Sequence, residues 1–310
     1  MSPPSPDAAQ PPEIPVGRPS SSAAWWLALR PKTLSVSVAP VLVGSALAYS
    51  ESGTFILWPA LVAVLSAMLI QVGTNLHNDV SDFERGADTP DRLGPRVPRR
   101  WGGCQRPRFV VRPGAPSCWP SYSGSPWLRA AAWRSSSSVS PRWSAAGPIP
   151  MVHGRLRIRR WAKSSCLFFG LAAVGGSYYL QTLNFSPAAA IAAAMLGAFG
   201  AAVISVNNTR DLGTDARAGK NTLAVCVGRP AMNAVYFVEM LMPHALLPVP
   251  AGLLGKGWSL ALPCLSAGMA LQLCRRFVAM APGAGFNDLL AATARLQAVY
   301  ALLLALGLVL

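Results

Sequence analysis

Long apolar stretches separated by short polar segments dominate the pattern along the 310-residue chain. A helix needs about 20 mostly apolar residues to cross a bilayer, and seven stretches are near that length. None of them shows the period-two alternation that a membrane β-strand requires. We therefore predict an all-α, polytopic transmembrane helical bundle. The predicted spans cover residues 34–50, 55–77, 166–183, 187–206, 232–254, 258–274 and 289–310.

Composition agrees with this class and decides how the charge is interpreted. Hydrophobic residues make up 52% of the chain and charged residues only 13%, which is too apolar for an ordinary soluble domain. A formal net charge of +15 would suggest nucleic acid as a partner. The basic residues, however, cluster at alternate span ends, which marks the cytoplasmic side of a membrane protein. We therefore predict a lipid bilayer and no nucleic acid as partner, with a cytoplasmic N-terminus.

Two segments lack an apolar span. Residues 1–24 are rich in Pro, Ser and Ala and are predicted to be a disordered cytoplasmic tail, which leaves 25–310 as the transmembrane domain. Residues 96–163 carry fourteen Lys or Arg, and a structureless loop of that length is unusual inside a compact fold. We interpret 96–165 as anomalous and hypothesise that sequence translated from a shifted reading frame replaces two spans there. A long basic loop that binds anionic lipid is the alternative.

Two oxygen-rich stretches each follow an even-numbered span, so both are predicted to face the cytoplasm. The first places four side chains at i, i+3, i+4 and i+7, which is one face of a helix end. The second places three side chains at i, i+4 and i+8. The residues are Asn75, Asn78, Asp79 and Asp82, followed in a loop by Asp88, and then Asn207, Asp211 and Asp215.

These stretches predict a metal-bridged diphosphate. Clustered carboxylates repel one another unless a cation sits between them, and oxygen-only ligands suit a hard ion, Mg²⁺ above all. A diphosphate held this way above an apolar cavity indicates a polyprenyl diphosphate substrate. The predicted metal ligands are Asn78, Asp79, Asp82, Asp88, Asn207, Asp211 and Asp215, of which Asp79, Asp82, Asp211 and Asp215 are catalytic. The predicted diphosphate-binding residues are Asn75, Asn78, Arg85, Arg210, Arg217 and Lys220.

The motifs resemble the UbiA superfamily of intramembrane aromatic prenyltransferases. The resemblance is carried by NDVSD followed by GAD, by NNTRDLGTDARAGKNTLAV (207–225) and by LRPKTLSVSVAPVLVGSALAY (29–49). It implies nine transmembrane helices around a central cavity, with the two acidic motifs facing each other. About seven of those helices are clear in this sequence, and the region of helices three and four is degraded.

Within the superfamily, the motifs are most similar to the branch that prenylates 1,4-dihydroxy-2-naphthoate in menaquinone synthesis. The resemblance implies Mg²⁺-dependent transfer of a polyprenyl group to this aromatic hydroxy acid with loss of CO₂, giving demethylmenaquinone at the cell (inner) membrane. The alternatives are another aromatic acceptor, an inactive damaged copy, and a membrane transporter for a cation or anion. Four polar groups near spans either touch the acceptor, or pack helices together or anchor the chain at the membrane interface. They are Thr33, Tyr178, Tyr179 and Gln181.

Overall fold

The structure is a computed structural model, and it describes residues 29–31, 34–84 and 166–310. Within these ranges, side chains are described up to Leu76 and again from Gly170. The predicted tail at 1–24 and the anomalous segment at 96–165 therefore lie outside the described residues.

Every regular element in the described part of the chain is a helix, which confirms the all-α prediction. A π-helical segment leads directly into α3, and a 3₁₀ segment leads directly into α8. The elements are α1 (Ser35–Ser52), α2 (Leu57–Glu84), the π segment (Cys166–Gly175), α3 (Gly176–Thr182), α4 (Pro187–Arg210), α5 (Leu212–Arg217), α6 (Leu223–Ala245), α7 (Pro248–Leu254), the 3₁₀ segment (Trp258–Ser266), α8 (Ala267–Ala279) and α9 (Phe286–Val309).

All seven predicted spans fall on helices, although their ends differ from the prediction. Four helices in the described ranges are long and apolar enough to cross a membrane: Leu57–Leu76, Pro187–Arg210, Leu223–Leu254 and Phe286–Val309. The chain is therefore a multi-pass membrane protein. The largest difference is in α6, which begins at Leu223 rather than at residue 232. Gly228, with φ 76° and ψ 171°, interrupts its first turns, so the apolar periodicity becomes regular only beyond that kink.

Local sequence explains where two of the long helices begin. The hydroxyl of Ser186 accepts a hydrogen bond from the backbone N–H of Ala189 at 3.0 Å, and Pro187 occupies the first turn of α4. In the same way, Thr222 accepts from the N–H of Val225 at 3.4 Å at the start of α6. A hydroxyl cap at each start satisfies a backbone donor that the helix itself leaves unpaired.

Helix α4 is the central element of the bundle and packs against the π segment, α6 and α9. Small residues permit close helix approach, since Gly170 lies directly beneath the backbone carbonyl of Ala193 on α4. Deeper in the core, the Phe199 and Tyr300 rings are 4.9 Å apart, and the His244 and Tyr300 rings are 5.0 Å apart. By contrast, few of the side chains of α2 between Leu57 and Leu76 are buried.

Three contacts establish which helix ends lie together. Gln181, at the end of α3, exchanges hydrogen bonds with the backbone of Ile56 at 2.9 and 2.8 Å, so the α1–α2 connection lies at that end. The chain then runs along α4 to Arg210, which contacts Asn287 at the start of α9. Since α2 also runs away from Ile56, both oxygen-rich stretches lie at the end of the bundle opposite Gln181. We call this the motif end.

Candidate functional site

The second oxygen-rich stretch follows the end of α4. The helix ends at Arg210, Asp211 leaves helical geometry with φ −93° and ψ 10°, and α5 begins at Leu212. Helical hydrogen bonding nevertheless continues, since Asp211 N–H donates to the Asn207 carbonyl at 3.2 Å and Asp215 N–H donates to the Asp211 carbonyl at 2.8 Å. The three predicted residues therefore keep their i, i+4, i+8 relation across the break.

Arg210 organises the polar side chains at this point, and its side chain is only 6% exposed. Its Nε and Nη2 donate to the two carboxylate oxygens of Asp211 at 2.8 and 2.6 Å. The Nη2 atom also donates to Asn207 Oδ1 at 2.9 Å, and Nη1 donates to Asn287 Oδ1 at 2.8 Å. A two-pronged, charge-assisted contact is strong and directional. The guanidinium therefore fixes the orientation of the acid and both amides.

A second ion pair follows on the next turn. The Lys220 ammonium lies 3.5 Å from Asp215 Oδ1, and the acid side chain is 9% exposed. Gly219, at φ 67°, takes a left-handed conformation that turns the chain back, so that the Lys220 N–H donates to the Asp215 carbonyl at 2.8 Å. Of the basic residues predicted to bind diphosphate, Lys220 thus lies beside an acid, whereas Arg217 lies on an exposed part of α5.

The first oxygen-rich stretch lies on α2. Asn75 is buried, donates from Nδ2 to the Leu29 carbonyl at 3.5 Å and accepts from Gln71 Nε2 at 3.4 Å. These contacts tie α2 to the segment that precedes α1. The backbone is helical through Asn78, Asp79 and Asp82 as predicted, but their side chains lie outside the described residues. The same holds for the whole of Arg85 and Asp88.

Two groups of residues change the predicted site. Asn287 was missed, because the predicted last span began two residues later and a lone asparagine in a helix's first turn carries little signal. Tyr178 and Gln181 are candidate contacts to the aromatic substrate, but they lie at the opposite end of the bundle. There Tyr178 donates a hydrogen bond to Glu51, and Gln181 binds the backbone of Ile56. Tyr179 stacks on Phe185 near that end, with ring centroids 5.0 Å apart. These contacts favour packing for Tyr178 and Gln181, whereas the exposed Tyr179 fits an anchor at the membrane interface. Thr33 lies outside the described residues.

The donor chemistry of the second stretch fits a hard divalent cation. Asp211, Asp215 and Asn207 supply carboxylate and amide oxygens, the ligand type that Mg²⁺ prefers. Although Arg210 engages both oxygens of Asp211, a carboxylate has about four acceptor positions, so a further ligand can be bound. In the described ranges, no group of three or more His, Cys, Asp or Glu side chains clusters tightly enough to hold a metal. The second stretch therefore offers carboxylate and amide oxygens of the type that a hard cation binds.

Fold and site together define a multi-pass helical membrane protein with a charge-compensated polar site at one end of an apolar bundle. A model of the UbiA prenyltransferase family matches residues 164–287. The chain is 31% identical to a 1,4-dihydroxy-2-naphthoate octaprenyltransferase from Haemophilus influenzae, over 72% of this chain and 74% of the relative. It is 33% identical to the protein of the same name from Escherichia coli, over 74% of this chain and 75% of that protein.

A further relative comes from an animal. UbiA prenyltransferase domain-containing protein 1 from Rattus norvegicus is 30% identical, over 93% of this chain and 84% of the relative. The chain belongs to the UbiA prenyltransferase family. It is accordingly a prenyltransferase whose reaction is prenyl transfer to an aromatic acceptor, and the family generally uses a divalent metal. This confirms the resemblance seen in the motifs and sets aside the transporter interpretation.

Proposed function

We propose that this chain transfers a polyprenyl group from a polyprenyl diphosphate to 1,4-dihydroxy-2-naphthoate, with loss of CO₂, to give the quinol form of demethylmenaquinone. The observation that carries the proposal is the buried network at the end of α4, in which Arg210 holds Asp211 and Asn207 in one orientation. The names of the two bacterial relatives support the choice of acceptor. The name of the rat relative specifies no acceptor, so a UbiA-type transferase with another aromatic acceptor is the second candidate.

The second stretch supplies both charges that a metal-bound diphosphate requires. Asp211, Asp215 and Asn207 are proposed to hold Mg²⁺ together with side chains of the first stretch, namely Asn78, Asp79, Asp82 and Asp88. When bound, the metal supplies positive charge that offsets the negative charge developing on the leaving diphosphate. Arg210 and Lys220 are proposed to donate to the same phosphate oxygens. Both cations already lie beside the acids, so the diphosphate meets donors that need little rearrangement.

The reaction then needs an electron-rich ring and a dry environment. The allylic C–O bond breaks with its electron pair leaving on the diphosphate, and a ring carbon forms the new C–C bond. The ring recovers its aromaticity by losing CO₂, whose bonding pair stays on the ring. We propose that the prenyl tail lies among the helices, where each buried CH₂ contributes roughly 0.8 kcal/mol. The same helices exclude water that would quench the allylic cation.

We further propose that residues 25–310 form the prenyltransferase domain and that the motif end faces the cytoplasm at the cell inner membrane. Basic residues support this orientation, since cytoplasmic segments of membrane proteins are enriched in them. Lys256 follows α7 at the opposite end. The basic residues described at the motif end include Arg210, Arg217, Lys220, Arg275 and Arg276.

Membranes that contain the full chain provide the test. They are incubated with labelled polyprenyl diphosphate, Mg²⁺ and, in separate samples, 1,4-dihydroxy-2-naphthoate, 4-hydroxybenzoate or homogentisate. We expect a prenylated, decarboxylated product from the naphthoate alone, loss of turnover in EDTA and recovery with Mg²⁺. Membranes from the same host without the chain are the control. A product from another ring acid and none from the naphthoate would show that the other acid is the acceptor. Absence of any product would overturn the proposed activity.

A further inference from the structure

A hydrogen bond between side chains joins the last helix of the bundle to the second oxygen-rich stretch. Arg210 Nη1 donates to Asn287 Oδ1 at 2.8 Å, although the two residues are 77 positions apart in the chain. Arg210 is almost fully buried, so this bond forms in a region with little competing water. The contact joins the first turn of α9 to the end of α4.

The first turn of α9 is itself held firmly. Phe286 is fully buried, and the guanidinium of Arg229 on α6 lies over its ring at 5.2 Å from the centroid. Arg229 also lies over the ring of Phe277 at 4.4 Å and donates to the Met280 carbonyl at 3.0 Å. The residue before Asn287 is therefore anchored on α6 and α8, so the Asn287 amide is presented to Arg210 from a rigid support.

The hydrogen bonds of Arg210 show what this amide contributes. Asp211 and Asn207 hold the guanidinium along its Nε and Nη2 edge. Asn287 holds Nη1, on the other terminal nitrogen. A planar guanidinium held at one edge alone can tilt about that edge, whereas contacts at both sides fix its plane. A guanidinium has five N–H groups, and these bonds engage four of them. A fixed plane therefore sets the direction in which the remaining N–H of Nη1 meets a phosphate oxygen.

We propose that Asn287 is a positioning residue of the diphosphate site, which acts by holding the plane of Arg210. This inference rests on the proposed function, because it assumes that Arg210 binds the diphosphate of the substrate. It adds α9 to a site that the two acidic motifs on α2 and α4 alone would define. Asn287 acts through Arg210, so its effect is confined to the prenyl diphosphate and leaves binding of the aromatic acceptor unchanged.

Kinetic measurements on the full chain in membranes test this role. Asn287→Ala is expected to raise the KM for prenyl diphosphate about tenfold, the loss typical of one charge-assisted hydrogen bond. The KM for the aromatic acceptor is expected to stay within about twofold of wild type, as no contact to the ring is removed. Asn184→Ala removes the same amide from the connection between α3 and α4 at the opposite end, and it should leave both KM values unchanged.

A double-mutant cycle separates positioning from a purely structural role. When Arg210 is already replaced by Ala, adding Asn287→Ala should change the affinity for a prenyl thiolodiphosphate less than about twofold, because the group that Asn287 orients is absent. This affinity is measured on purified protein without turnover, so it does not depend on activity. Asn287→Ser, which also lacks the reach to Nη1, replaces the alanine variant if that protein does not accumulate.

The outcomes distinguish the two proposals. Wild-type protein that binds no thiolodiphosphate and makes no product overturns the proposed function, and the inference with it. Active wild type with an unchanged KM for prenyl diphosphate in Asn287→Ala overturns the inference alone. Equal rises in both KM values, or an effect of Asn287→Ala that is fully additive with Arg210→Ala, would show a structural tie between α4 and α9 instead of positioning.

Discussion

At the residue scale, the end of α4 shows how buried charges depend on one another. Arg210 is almost fully buried and Asp211 is one-fifth exposed, so their bidentate contact is only weakly screened by water. Removing one partner of such a pair leaves the other charge uncompensated, which costs more than the pair itself contributes. Function and stability can therefore be separated by substitutions that remove the charge of Asp211 but keep a hydrogen-bond acceptor.

Asp211 offers that comparison directly. Asp211→Ala should abolish product formation and lower the free energy of unfolding by about 3 kcal/mol, because the Arg210 guanidinium loses both carboxylate oxygens of Asp211. Asp211→Asn keeps one acceptor and should retain more of the stability, yet it should also lack activity. Activity is measured in membranes and unfolding in mild detergent. Asp288→Asn, an exposed acid on α9, is the control for both assays, and normal turnover by Asp211→Asn would contradict the role assigned to the charge.

Lys220 tests the second ion pair. Replacing it by Met retains most of the apolar stem but removes the ammonium that faces Asp215 at 3.5 Å. We expect the KM for prenyl diphosphate to rise about tenfold in Lys220→Met, through loss of a charge-assisted contact, and to rise less in Lys220→Arg. Steady-state kinetics at saturating acceptor measure the effect. Equal kinetics for Met and wild type would show that Lys220 only neutralises Asp215.

At the element scale, close helix approach depends on positions where a Cβ atom has no room. On α1, a Cβ at Gly44 would meet the backbone carbonyl of Val174 in the π segment, and the obstacle is backbone that cannot rotate away. Gly73 on α2 has open space around its Cβ position, among described atoms within 4 Å. The packing therefore excludes a side chain at Gly44 and leaves room for one at Gly73.

Alanine substitutions at these glycines should act in opposite directions. Gly44→Ala should destabilise the protein by about 1–3 kcal/mol, since α1 must move away from the π segment. Gly73→Ala should be neutral or stabilising by up to about 1 kcal/mol, because alanine favours a helix interior where no neighbour obstructs it. Unfolding of detergent-solubilised protein measures both changes. Equal destabilisation by the two variants would mean that α1 and the π segment do not pack as described.

At the scale of the whole molecule, both oxygen-rich stretches lie at one end of the bundle, and the connection between α1 and α2 lies at the other. The contacts of Gln181 with Ile56 and the directions of α2 and α4 locate both stretches at that end. Their location on one side therefore follows from the described helices alone. The orientation of that end in the cell is a separate property, determined by the basic residues near it.

Cysteine labelling measures this orientation. In a chain whose native cysteines are replaced, Ala216→Cys on α5 marks the motif end and Lys256→Cys marks the opposite end. The outer membrane is first opened selectively, with the inner membrane left intact. A membrane-impermeant maleimide should then label Lys256→Cys, and Ala216→Cys only after the inner membrane is permeabilised. The reverse labelling pattern would place the motif end outside the cytoplasm and contradict the proposed topology.

The seven apolar spans and the spacing of the acidic residues were predictable from sequence, because both depend on local regularities. A run of apolar residues long enough to span a bilayer becomes a helix whatever its neighbours are, since its backbone must satisfy its own hydrogen bonds. The stripe of Asn207, Asp211 and Asp215 similarly follows from helical periodicity and survives the break at Asp211.

Other features were decided only by the tertiary structure. The role of Asn287, the packing of Tyr178 and Gln181 at the end opposite the motifs, and the crowding at Gly44 all depend on which helices are neighbours. Residues distant in the chain meet only once helices have packed side by side, and hydrophobic periodicity indicates a buried face without naming the helix that covers it. The sequence by itself therefore determined the class of protein and the chemistry it carries. The lateral order of the helices decided which side chains hold that chemistry in place.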